Sequence, residues 1–188
     1  MKPPRKNRTR SERKNARRNA WRMLFSLILL LLSAFPMLGG GVRALPVIPA
    51  LVCIAMNEEL GFTAFCAVAA GFLTDIACGS ALGANAIYLV CASTVVWLLF
   101  SGLLRRSFLH WLLLTAAAVF LRALLAWSLP MLLSRIADRA VLWRAVLLPS
   151  CIRTMLWAIP VYILFLPCEK LLTKRVRSMD AAAIRRDW

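Results

Sequence analysis

Three ionisable side chains, Asp75, Arg122 and Arg153, interrupt apolar stretches of this chain, and Asn85 stands among them. A charged side chain in a membrane-embedded helix costs about 3 kcal/mol on insertion scales, so each demands a reason. A carboxylate, two guanidiniums and an amide can build a buried ion-pair network. They can equally receive an anionic or zwitterionic group. The residues around them are small and periodic. Ala67, Gly71 and Asp75 recur every fourth position, and Thr115, Ala118, Arg122 and Ala126 follow i, i+3, i+7, i+11. Small residues on one helical face let neighbouring backbones approach closely. The pattern predicts that Asp75 pairs with Arg122 or Arg153, with Asn85 nearby. Such a pair either registers helices or forms a docking site for a ligand or partner.

Other candidate chemistry is sparse. His110 is the single histidine, and a metal site needs further ligands. Glu58 and Glu59 are adjacent, and neighbours in sequence do not face each other on a helix. They read as a solvated turn rather than a two-carboxylate acid/base pair. Cys53, Cys66, Cys78, Cys91, Cys151 and Cys168 form no CxxC pair and read as small polarizable residues in apolar helices. No GxSxG, HExxH or P-loop occurs. The expectation is a protein that is not an enzyme, with no metal and no cofactor.

The elements that position these residues follow from composition. Of 188 residues, 61% are hydrophobic, and mean hydropathy is +0.73. Soluble domains are about 45–50% apolar, so an ordinary globular enzyme is excluded. The net charge of +16 sits at the ends. Residues 1–22 hold ten Lys/Arg and one acid, and residues 169–188 hold six Lys/Arg and three acids. Basic ends around an apolar middle read as an integral membrane protein whose tails meet anionic lipids, a better reading than nucleic acid.

The fold class expected is all-α, a polytopic membrane bundle of about six transmembrane helices. Spans are expected at 21–38, 42–56, 60–78, 81–102, 108–133 and 145–168. The second run is short and holds Pro46 and Pro49, so it crosses with little tilt, crosses partly unwound, or is re-entrant. Arg135, Asp138 and Arg139 share one face of the 134–145 linker, which suggests a short interfacial helix. Pro149 and Pro160 are expected to kink the last span. Residues 1–20 read as a mobile basic tail, 21–168 as the membrane domain and 169–188 as a second basic tail. With six spans and the N-terminus in the cytoplasm, inner segments hold eighteen Lys/Arg and outer ones four. That asymmetry places both termini in the cytoplasm. The same topology puts Asp75, Asn85, Arg122 and Arg153 in the outer half of the bilayer.

The stretch from Gly71 through Asp75, Gly79 and Gly83 to Asn85 resembles the signature of the MreD family, the rod shape-determining membrane proteins. That family carries a Gly-x-x-x-Asp on one helix and a Gly-x-x-x-Gly turn into the next. The hydropathy profile resembles it over about residues 22–172, whereas the long basic N-terminal tail and the charged linker depart from it. The resemblance implies a non-enzymatic component of the cell-elongation machinery in the bacterial plasma membrane. Its partners would be the single-pass protein MreC and, indirectly, the MreB filament and the peptidoglycan synthases. It also implies that MreC binds a lipid-facing groove of small residues. Asp75 is then a hairpin latch or part of a partner contact. The alternative is the substrate-binding subunit of an energy-coupling-factor vitamin transporter, a small six-span bundle with an outward cavity. A lipid-modifying enzyme fits least, for want of catalytic spacing.

Overall fold

The structure is a computed structural model that describes residues 10–38, 44–79, 82–104, 107–133 and 143–184. The described residues form helices and no strand. In chain order these are α1 (Arg10–Ala34), a 3-10 turn (Phe35–Leu38), α2 (Val47–Asn57), α3 (Leu60–Cys78), α4 (Ala84–Gly102) and α5 (Phe108–Leu133). A π-helical turn (Trp143–Leu147) then leads into α6 (Leu148–Ile184). Five segments are long and apolar enough to cross a membrane: Asn19–Met37, Leu60–Cys78, Ala84–Gly102, Phe108–Ser128 and Trp143–Leu166. The fold is an all-α bundle with the hydropathy of a multi-pass membrane protein.

The second apolar run differs from the other five. Its helix, Val47–Asn57, is 11 residues long. At 1.5 Å per residue that is about 16 Å, roughly half a hydrocarbon core of about 30 Å. Every residue from Val47 to Met56 is buried, and α2 packs against α1, α3, α4, α5 and α6. A helix enclosed on all sides needs no polar face, which explains why its sequence is apolar all round. Its prolines mark its start rather than break it. Pro46 is the N-cap and Pro49 lies in the first turn, where a missing N–H removes no intrahelical bond. The first i to i−4 bond runs from Ala50 N to Pro46 O, at 3.2 Å.

Both ends of α2 are tied to other helices. The Leu45 N–H donates to Thr154 Oγ1 of α6 at 3.0 Å. At the other end Arg22 Nη2 donates to Asn57 O at 2.6 Å, and Trp97 Nε1 of α4 donates to Glu58 O at 3.1 Å. A cation at a helix C-terminus satisfies its last carbonyls and its dipole. Because Arg22 begins the apolar part of α1, α2 brings the chain back to the side on which that part starts. Beside this end, Trp111 of α5 and Tyr162 of α6 pack with ring centroids 4.5 Å apart, and Phe108 closes the group.

Helical backbone extends into both basic ends. Helix α1 begins at Arg10, inside the segment expected to be mobile, and α6 continues through the second basic segment to Ile184. Starting a helix is costly, whereas extending one adds a hydrogen bond per residue. A folded membrane span therefore propagates into flanking Arg, Lys and Ala, which are good helix formers. Helix α6 also continues through Pro160 as one element. The linker face of Arg135, Asp138 and Arg139 lies outside the described residues.

Candidate functional site

Helices α3 and α4 form an antiparallel hairpin. The glycines of the motif serve it for two different reasons. Gly79 caps α3 at φ 64°, ψ 30°, and its N–H donates to Asp75 O. Gly83 caps α4 at φ 97°, ψ −17°. Both lie in the positive-φ region that glycine adopts without a steric penalty. Gly71 is needed for space. A Cβ built there would overlap the backbone of Ala86 on α4, 2.5 Å from its N and closer still to its Cα. The small stripe Ala67, Gly71, Asp75 is therefore the face by which α3 meets α4. The small residues Ala67, Gly71, Thr115 and Ala118 are buried, so they are spent on packing within the bundle. They do not form a lipid-facing groove.

The Asp75 side chain is 1% exposed and sits over the N-terminus of α4. Its Oδ2 accepts from the Gly83 N–H at 2.7 Å. Its Oδ1 accepts from the Asn85 N–H at 3.2 Å and from Asn85 Nδ2 at 2.7 Å. The carboxylate thus caps a neighbouring helix, where orphan N–H groups and the helix dipole both favour a negative charge. Asn85 then passes the contact on. Its Oδ1 accepts from Arg122 Nε of α5 at 3.1 Å. Arg122 Nη2 also makes a weak 3.9 Å contact with Cys78 Sγ. Tyr88 OH donates to Ala118 O one turn before Arg122 on α5, which fixes the same pair of helices. Asp75, Asn85 and Arg122 are therefore joined in series, with the amide between the charges. Arg153 lies on the exposed side of α6, beside Ile152.

No protein-family model, curated protein or solved structure matches this chain.

The polar anchor at the opposite end of the bundle is not visible in the spacing of residues. Glu58 is not a solvated carboxylate: its side chain is 9% exposed and meets Arg22 Nη2 at 3.1 Å. The partners are 36 positions apart, so no local pattern announces them. Glu59 is exposed. His110 lies in the first turn of α5, its Nδ1 3.1 Å from Ser107 Oγ.

Burial pushes the Glu58 carboxyl above its ordinary value of 4.5, and the Arg22 charge and hydrogen bond only partly offset this. A carboxyl with a raised value in the fold binds its proton more tightly folded than unfolded. Its stabilising share is complete below about 4.5 and is lost as pH rises through the raised value. Glu58→Gln keeps an acceptor for Arg22 and carries no buried charge. At neutral pH this variant should unfold within about 1 kcal/mol of the parent. It should also lose the part of the acid-side pH dependence that Glu58 supplies. Glu58→Ala leaves the guanidinium with Asn57 O alone and should lose about 1–3 kcal/mol. Thermal unfolding of the purified chain from about pH 4 to about pH 8 checks both.

Proposed function

We propose that this chain is a non-enzymatic component of the complex that maintains rod cell shape. In this reading it lies in the bacterial plasma membrane and organises side-wall peptidoglycan synthesis. It binds a single-pass MreC-like protein and, through it, the MreB filament and the wall synthases. Its basic helical ends rest on the anionic inner leaflet. One observation carries the reading. The motif residues Gly71, Asp75, Gly79, Gly83 and Asn85, which resemble the MreD signature, converge on a single structural task. They lock α3 to α4 as a rigid hairpin. Asp75 is engaged as an acceptor by three N–H groups, the work of an anchor that presents a surface. The outward faces of α3 and α4 carry large apolar residues such as Phe65, Phe72, Ile76 and Ile87 on which a partner helix can pack.

Depleting the protein in its host should turn rods into swelling spheres with diffuse wall labelling, and an Asp75→Ala copy should fail to restore the rod. Normal shape together with a new requirement for an external vitamin would sink this reading in favour of a transporter subunit.

A further inference from the structure

We propose that the cleft between α5 and α6 binds the phosphate of one lipid molecule, with Arg122 as its main donor. The proposal does not rest on the cell-shape reading. Val119 and Ala123 of α5, Thr154 of α6, and Leu45 and Ile48 at the start of α2 form its buried walls. Arg122, Leu147, Ser150 and Cys151 are half-exposed and form its rim. The enclosed end has room for about one water-sized group. It accepts one phosphate oxygen of a ligand whose phosphorus stays at the rim, whereas a whole small molecule needs a pocket of some hundreds of Å³, roughly 300 or more.

Charge and depth select the group. A guanidinium has five N–H donors, and Arg122 commits Nε to Asn85 and makes a weak sulfur contact through Nη2. No ion pair to Arg122 occurs among the described residues. The Asn85 contact holds the guanidinium at the level of the first turn of α4, just below the hairpin apex. At this level the apolar runs Ala84–Gly102 and Trp143–Leu166 begin, so the cleft lies toward one end of the spans. Trp143 marks the same level. It is half-buried, as interfacial aromatics are, and packs edge-on against Phe120 of α5 with centroids 6.3 Å apart. Arg144 beside it is exposed. The π-helical turn that carries both residues is wider than an α-turn, and such turns recur at functional sites. It ends at Leu147 on the cleft rim. Guanidinium and hydroxyl groups recognise phosphate oxygens. Apolar walls and the exposed Val146 and Leu148 next to the rim suit an acyl chain, which a free phosphate lacks.

The test uses the full chain in neutral detergent, titrated with phosphatidylglycerol or the matched phosphatidylcholine, with bound lipid counted by native mass spectrometry. The basic ends attract anionic lipid in every variant, so the difference between variants is what reads the cleft. The parent should hold one phosphatidylglycerol about tenfold more tightly than phosphatidylcholine. Arg122→Gln should lose that molecule. Ser150→Leu narrows the rim and leaves Arg122 and Asn85 in place. It should weaken binding in a chain that still folds, and it decides the matter if Arg122→Gln does not fold. Equal retention of the two lipids by the parent would overturn the proposal. So would a full phosphatidylglycerol preference in folded Ser150→Leu and Arg122→Gln. Inorganic phosphate that stabilises the chain as well as the lipid does would also overturn it, in favour of a free-anion site.

Discussion

Gly71→Val should split the α3–α4 hairpin and leave little folded protein in the membrane. Even Gly71→Ala should destabilise the purified chain by about 1–3 kcal/mol, the usual cost of forcing a methyl into packed space. The reason is the nature of the neighbour. A Cβ at position 71 meets the Cα and N of Ala86 as well as its methyl. A flexible side chain can swing away, but a helix backbone can yield only if the whole helix moves. Removing the facing methyl with Ala86→Gly should therefore rescue Gly71→Ala only in part. Gly79→Ala provides the contrast. Nothing lies near a Cβ there, so its penalty comes from φ 64° alone and should stay near 1–2 kcal/mol. Thermal unfolding of the four variants in detergent checks the ranking. A Gly71→Ala chain that melts like the parent would mean that α3 and α4 do not approach as closely as described.

Much of this was legible from residue types, and the failures have physical causes. The third and fifth helices occupy 60–78 and 108–133 as expected, because Gly79 and the Arg105-Arg106 pair end the apolar runs beside them. Two members of the expected polar group, Asn85 and Arg122, meet. Counting 1.5 Å per residue along each helix put Asn85 and Arg122 near one depth, and they are hydrogen-bonded. Rotation about a helix axis was harder to read. On α6 the buried positions Thr154, Ala158, Val161 and Phe165 follow i, i+4, i+7, i+11. Arg153 is one step off that stripe and so turns outward. The stripe is present in the sequence, but in a helix that is apolar nearly all round nothing distinguishes the inward face from the outward one. The same difficulty hid α2. A fully enclosed helix has no polar face to reveal its role, and its length fits neither a full span nor a loop.

Asp75 separates a structural latch from a partner contact. If the carboxylate serves the hairpin, its loss must be felt by the isolated chain with no partner present. Asp75→Ala strands the Gly83 and Asn85 N–H groups in a buried site and takes the negative charge away from Arg122. Leaving buried donors unpaired costs about 1–3 kcal/mol each, and here the donors belong to Gly83 and to Asn85. A loss of about 3–5 kcal/mol is expected, enough to unfold a marginal bundle. Asp75→Asn should fall between this variant and the parent. Its amide can still accept through one oxygen, but its NH2 group meets an N–H where the carboxylate had an acceptor. Arg122→Gln should cost less than Asp75→Ala, because Arg122 is half-exposed and joins the network only through Asn85. Combining Asp75→Asn with Arg122→Gln should cost less than the sum of the two, by about 0.5–3 kcal/mol, since each breaks the same chain of hydrogen bonds. That coupling should disappear in an Asn85→Ala background, where the connection is already cut. Unfolding of the purified variants in detergent supplies all of these numbers. Should Asp75→Asn melt like the parent and yet fail to restore the phenotype of a depleted host, the carboxylate would act through a bound partner. The hairpin would then be held by glycine packing alone.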